Sequence, residues 1–354
     1  MVLAGRRTEP VTLLQRERTL RPDLVLILAY LALSGLGLVM IYSATAPKLI
    51  ADGASPTSAV FRQMIFVAIG IVAFFATSLI ENRTLKMLTP IFYVASLVTL
   101  LIVLRMPVRA GANRWIPLGG FQFQPSEFAK IAVILALAAL LAAAREKSLH
   151  WMEVARAVVL VAVPAALIFK QPDLGTMLVF GFAAVVMVFV AGTTWRQFAF
   201  MSITAVVGAV SLFKVGAIED YQITRITAFL DETSDLVDSN YNLAQSKIAI
   251  GSGGVFGRGL FEGTQTNLSF VPEQSSDFIF TAIGEQLGFV GATVVIGLFV
   301  VLTWRLLVAG ANGRDRFSQL VAIGVAAMVV FHAFVNIGMT VRITPVTGLP
   351  LPFL

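Results

Sequence analysis

The sequence predicts an all-α, polytopic integral membrane bundle, and three observations carry that prediction. Hydrophobic residues make up 57% of the 354 and charged residues only 13%, where a soluble domain carries about 25% charged residues. Mean hydropathy is +0.86. The apolar residues are gathered into runs of roughly 18 to 25, long enough to cross a hydrocarbon core of about 30 Å as helices.

Nine such runs are expected, over 24–44, 60–80, 87–104, 128–144, 154–169, 174–191, 198–216, 278–308 and 320–341. The first is too long for the apolar core of a signal peptide, follows a polar segment, and has no small-residue cleavage site after it. Pro125 and Ser126 open the fourth run, and Asp173 after Pro172 opens the sixth as a cap. Residues 1–23 form a cytoplasmic N-terminal segment, and 24–354 form a single transmembrane domain.

Orientation follows from the basic residues. With the N-terminus inside, fourteen of the 26 Lys and Arg lie on the cytoplasmic side, among them Arg6, Arg7, Arg16, Arg18 and Arg21. Ten lie outside, with Arg105, Arg109 and Arg114 clustered. Cations kept outside against the insertion bias suit an anionic partner such as a phosphate group, or else they are interface anchors.

The residue inventory narrows the chemistry. Cysteine is absent and histidine occurs only as His150 and His332, so thiolate sites and imidazole clusters for zinc or haem are excluded. His332, alone on an apolar helix, reads as a satisfied core residue. Carboxylates, amines, guanidines and hydroxyls remain.

Between the seventh and eighth runs lie about sixty residues, 217–276, longer than an ordinary connection and typical of a functional loop. Leu243, Lys247 and Ile250 at helical spacing predict a short interfacial helix over 241–250. Gly251, Gly253, Gly254, Gly257 and Gly259 fit no Walker or Rossmann pattern. They make either an anion-cradling turn or a plain flexible loop.

Asp277 stands where this polar loop enters the eighth run. A carboxylate near hydrocarbon is costly to ionise unless a cavity, cation or substrate shares its site. It is either the helix N-cap or a catalytic group. Glu285, eight residues on, either shapes the same cavity or pairs with a neighbouring helix. Glu127 and Lys130, three apart at the head of the fourth helix, form either a self-neutralising pair or a phosphate site. Trp115 is a stacking platform or an interfacial anchor.

Four blocks carry a resemblance: GANRWIPLGGFQFQPSEFAK at 111–130, QPDLGT at 171–176, the stretch 245–288 with SKIAIGSGGVFGRG and GTQTNLSFVPEQSSDFIF, and NIGMTVRITPVTGLPLPFL at 336–354. Together they resemble the SEDS family (shape, elongation, division and sporulation), and within it the elongation branch. The resemblance implies a peptidoglycan glycosyltransferase that polymerises lipid II at the outer face of the bacterial inner membrane, inverting at the anomeric carbon and expelling undecaprenyl pyrophosphate.

Such a displacement needs a base for the incoming hydroxyl and charge neutralisation for the leaving group, not the second carboxylate of a hydrolase. The resemblance assigns Asp277 as base, sharing a divalent ion (Mg or Mn) with the pyrophosphate, and Arg109, Arg114, Trp115, Glu127, Lys130, Lys247 and Arg258 as substrate contacts. It implies no organic cofactor and no nucleic acid. Its implied partners are membrane lipids, elongation-machinery membrane proteins and a class B penicillin-binding protein, with the last two helices and the large loop as docking places.

The family pattern continues past PLPFL into a tenth helix, which would leave Pro345, Pro350 and Pro352 in a non-helical end that is either buried or at the surface. Arg342 replaces an expected small or apolar residue. The alternative function is a lipid II flippase or transporter, which would show internal repeats and a charged site near the midplane.

Overall fold

The computed structural model describes residues 22–106, 114–118, 121–144, 148–214, 216 and 238–354. Within them every one of the nine expected runs is a helix. They are α1 (Leu24–Ala51), α2 (Ser58–Ser78), α3 (Asn82–Val103), α4 (Pro125–Ala142), α5 (Trp151–Phe169), α6 (Leu174–Val190) and α7 (Trp195–Lys214), followed after the loop by α10 (Ile279–Ala311) and α11 (Arg316–Thr340). Seven helices among the described residues are long and apolar enough to cross a bilayer, and α6 is a shorter apolar helix of 17 residues. The chain is a multi-pass membrane protein.

Local signals start these helices. The Asp23 carboxylate accepts from Leu26 N–H at 3.1 Å and heads α1. Asp173 accepts from both the N–H and the hydroxyl of Thr176, so it caps α6 as expected. Asp315 accepts from Ser318 N–H at 3.2 Å and heads α11.

α11 is the centre of the bundle, packed by α10, α6 and α4. Leu33 and Met40 of α1 meet Ile279, Ile283, Val295 and Leu302 of α10 in one core. Leu137 and Leu141 of α4 meet Met187 of α6 and Phe317 and Leu320 of α11 in another. Gly324 permits the second, since a Cβ there would lie 2.6 Å from Met187 Sδ. By contrast α2 buries no residue and turns Phe61, Phe74 and Phe75 outward, as a helix in lipid can.

Two small elements were not predicted. A hairpin precedes α4, with β1 (Ile116–Leu118) antiparallel to β2 (Phe121–Phe123). The large loop holds α8 (Asp238–Gly253) and the single turn α9 (Thr264–Asn267); its first part, 217–237, lies outside the described residues. The expected interfacial helix is thus present as α8, but its buried face is Leu243, Ser246, Ala249 and Gly253, while Lys247 is exposed. That face is small because it seats on α10: a Cβ at Gly253 would fall 2.0 Å from Gly284 O.

The glycine-rich loop is neither an anion cradle nor a loose linker. α10 breaks at Gly288 (φ 66°, ψ −161°), which frees backbone groups on both sides. Arg258 and Gly259 N–H donate to the carbonyls of Glu285 and Gln286 at 3.0 and 3.1 Å, and Phe289 and Val290 N–H donate to Gly254 and Val255 at 2.9 and 3.1 Å. Only glycine fits this contact, because a Cβ at Gly257 would meet Gln286 O at 2.0 Å.

After α11 the chain turns back without helix and packs against α6 and α1. Leu349 and Leu351 are 1% exposed, the carbonyl of Thr347 would lie 2.8 Å from a Cβ at Gly175 of α6, and the backbone of Leu354 2.8 Å from one at Gly37 of α1. Of its prolines only Pro350 is exposed.

Candidate active site

Short links make α4, α5 and α6 alternate in direction and set α10 against α11, and Lys130 of α4 meets His332 of α11, so the starts of α4, α6 and α10 and the end of α11 share one end of the bundle. The polar residues singled out by sequence gather there.

Lys130 lies in the second turn of α4 and is 4% exposed. Its ammonium sits 2.8 Å from Glu127 Oε2 and 3.0 Å from His332 Nε2 of α11. Glu127 is 44% exposed, so the pair opens toward the bundle end. Below Lys130 the space is lined by Val133, Ile134, Leu137, Phe180 and Met328, an apolar floor. His332 is satisfied on both nitrogens, with Nδ1 2.8 Å from Met328 O. It is not alone, however: it is the third member of the Lys130 cluster.

Asp277 is half-buried at the entrance to α10. The cap position belongs to Phe278, whose side chain makes no capping bond, so Asp277 stands one residue outside it. Its N–H donates to Glu273 O at 3.1 Å, and its carbonyl accepts from Asn336 Nδ2 at 2.8 Å. The same Nδ2 donates to Leu349 O at 2.7 Å, which brings the returning C-terminal segment against the aspartate; Oδ2 lies 3.5 Å from where a Cβ at Gly348 would be. Asn336 is one helical turn from His332. The α11 face therefore sets Asp277 and Lys130 in one column.

Glu285 does something else. It is wholly buried and accepts from Gln265 N–H (2.7 Å), Thr266 N–H (3.0 Å) and the Thr266 hydroxyl (2.7 Å). It caps α9 from across the loop. Thr266 and Thr281 in turn accept from Gln274 Nε2, which braces the segment before Asp277.

The remaining sequence candidates lie further out. Arg114 gives Nε to Gln171 O at 3.1 Å and Nη2 to Pro172 O, so it ties the stretch before the hairpin to the α5–α6 link. Trp115 beside it is half-buried. Arg258 is exposed and bonds Ser252 O and the Thr264 hydroxyl, each at 3.2 Å. Lys247 is exposed on α8. Arg109 lies outside the described residues. No group of three metal-ligating side chains occurs among the described residues. Asn336 and Gln274 were missed by sequence reasoning; Asn336 had a legible signal, a polar residue four after His332 in an apolar helix.

Comparison with known proteins gives one answer. A family model described as a cell cycle protein, FtsW/RodA/SpoVE, matches residues 23–354. The chain is 36% identical over 343 residues to stage V sporulation protein E of Bacillus subtilis, covering 94% of this chain and 91% of that protein. It is 36% identical over 288 residues to the peptidoglycan glycosyltransferase MrdB of Escherichia coli, covering 81% and 77%. A solved structure concerned with polymerization and crosslinking by a peptidoglycan synthase complex contains a chain that superposes with a TM-score of 0.78 at 29% identity, covering 95% of this chain and 92% of that one.

Proposed function

The chain belongs to the FtsW/RodA/SpoVE family and is a peptidoglycan glycosyltransferase, and from that premise we propose that it polymerises lipid II with Asp277 as the base. One observation carries the assignment: Asp277 stands outside the cap position of α10, at the bundle end where Lys130 and Glu127 open.

In this reading Asp277 accepts the proton of the incoming sugar hydroxyl as that oxygen attacks the anomeric carbon of the second lipid-linked sugar. The bond to undecaprenyl pyrophosphate breaks with inversion, and both electrons leave with the pyrophosphate. Lys130 binds the pyrophosphate in the bound substrate and stays on it as the bond breaks, offsetting its charge throughout. Asp277 is also the group that would hold a divalent ion, which would supply further neutralisation of the pyrophosphate. Arg114, Trp115, Lys247, Arg258 and Arg109 are outer substrate contacts.

The site faces outward from a bacterial inner membrane with the N-terminus in the cytoplasm, as the arginines of 1–21 suggest. An apolar groove of about 490 Å³ between α10 and α11, lined by Phe299, Trp304, Leu307, Phe334 and Ile337, is where a single-span transpeptidase of the penicillin-binding class would seat its helix. The elongation machinery is the setting. The relatives' glycosyltransferase names leave the transporter alternative without a supporting observation.

The test is polymerisation of purified lipid II in detergent, with Mg or Mn and the transpeptidase, by the parent chain and Asp277→Asn. The expected result is glycan from the parent and a loss of about 10³-fold in the variant, the scale of removing a general base. Equal polymer from both removes Asp277 as the base, and equal rates with and without chelator remove the metal.

A further inference from the structure

We propose that His332 and Asn336 are a pair of positioning residues, through which α11 sets the spacing between the phosphate-binding ammonium and the catalytic carboxylate. The inference rests on the reading of Asp277 and Lys130 given above, and adds to it the part that fixes one relative to the other.

The hydrogen-bond directions leave little freedom. Met328 O can only accept, so His332 Nδ1 carries the proton and Nε2 is the acceptor. Lys130, which has no acceptor, donates to it at 3.0 Å. The ammonium is thus held on one side by Glu127 at 2.8 Å and on the other by His332. The carbonyls of Asp277 and Leu349 likewise only accept, so the Asn336 amide nitrogen must face both. Asn336 is wholly buried, and its Oδ1 has no partner among the described residues; the two carbonyls alone orient the amide.

The element that bears the pair is stiff. α11 is packed by α4, α6 and α10, and Gly324 lets Met187 and Ile134 close against it. Four residues on such a helix span about 6 Å. A base and a charge stabiliser act on opposite ends of one displacement, so their separation has to match the reacting atoms, and an error of about 1 Å can cost about 10²-fold. The two residues touch no reacting atom in this account. Asn336 acts on the backbone of Asp277, His332 on the side chain of Lys130.

The roles separate kinetically. Asn336→Asp keeps the shape but turns an oxygen toward carbonyls that need donors. It is expected to lower kcat about 10²-fold, with KM for lipid II moving less than about threefold, because the base is displaced and binding is not. His332→Leu removes the acceptor that holds Lys130 and is expected to raise KM for lipid II about tenfold. His332→Gln restores an acceptor oxygen and should return KM to within about threefold of the parent.

The experiment measures initial polymerisation rates of the full chain with its transpeptidase, for these variants and Asp277→Asn, alongside their unfolding midpoints. The expected pattern supports the inference. Asn336→Asp with kcat within about twofold of the parent, while Asp277→Asn is inactive, overturns the pairing and leaves the base in place. His332→Leu and His332→Gln with equal KM overturn it too, and this comparison decides alone where Asn336→Asp fails to fold. Asp277→Asn as active as the parent overturns the reading of the site and the Asn336 arm with it.

Discussion

Asp277 and Glu285 stand eight residues apart on one stretch of chain, and the fold uses them in opposite ways. Glu285 is wholly buried and both its oxygens are taken up by the N–H groups and hydroxyl of α9. Asp277 is half-buried, and its backbone is held by Asn336, which donates to its carbonyl, and by the Glu273 carbonyl, which accepts from its N–H. A buried carboxylate surrounded by committed donors is part of the framework. In the proposed function, the half-buried carboxylate whose backbone is held at the bundle end is the one that does the chemistry.

The sharpest way to break this contrast is to truncate each. Asp277→Ala is expected to lower polymerisation about 10³-fold or more while the unfolding midpoint in detergent stays within about 2 °C. Glu285→Ala leaves the buried Thr266 N–H and hydroxyl and the half-buried Gln265 N–H without an acceptor, at a cost of about 3 kcal/mol or more, so its midpoint should fall steeply and activity should fall with it. Thermal unfolding and rate measured on the same samples separate the two, and equal midpoints for both variants would end the contrast.

The framework side of the comparison can be tested through its glycines. Gly257→Ala would press a Cβ to 2.0 Å from Gln286 O at a φ of 83°, and a loss of about 2–4 kcal/mol is expected from overpacking and strain together. Gly251 lies inside α8 with nothing within 4 Å of such a Cβ, so Gly251→Ala should be neutral or slightly stabilising, by under about 1 kcal/mol. A loop that serves only as a flexible linker would show the two variants alike.

These contrasts also mark what the sequence could reveal. Length and hydropathy were sufficient for the nine helices, because a span needs little beyond an apolar run, and Asp173 was legible as a cap because capping is local. The function of the glycines was not. Whether Gly257 cradles an anion or admits a backbone depends on α10 breaking at Gly288, thirty-one residues away, and no local pattern announces that break. Glu285 was left open, and His332 was read as a lone core residue, for the same reason. Their partners, Thr266 and Lys130, are brought to them only by the packing of α9 on α10 and of α4 on α11. Asp277 was legible as a candidate because its position between loop and span is itself a sequence property.

A smaller effect belongs to the capped starts of the helices. Asp173 is 3% exposed and serves Thr176 twice. Asp173→Ala should lower stability by about 1–2 kcal/mol, and Asp173→Asn, which still accepts, by less. A polymerisation loss as large as that of Asp277→Ala with an unchanged midpoint would move Asp173 from the framework to the site.

The smallest effect is expected farthest from the site, where Asp23 at the head of α1 meets Arg305 of α10 through two nitrogens, the shorter contact 2.6 Å. Burial pushes the Asp23 carboxyl up, but the Arg305 guanidinium and the Leu26 and Val25 N–H groups outweigh it and hold the carboxyl below its ordinary 3.8. A depressed folded value means that the unfolded chain binds the proton first as pH falls. The stabilisation is therefore complete above about pH 5 and is lost below 3.8 as the folded group protonates in its turn. With the pair 24–33% exposed, solvent screening limits its worth to under about 1 kcal/mol. Asp23→Asn keeps the cap oxygen for Leu26 and loses only the charge, so its midpoint should sit slightly below the parent's at neutral pH and converge with it below pH 4. A gap that persists into acid would mean that the difference does not come from the charge shared with Arg305. The ion pair would then add nothing to the joint between the first helix and the one that carries Glu285.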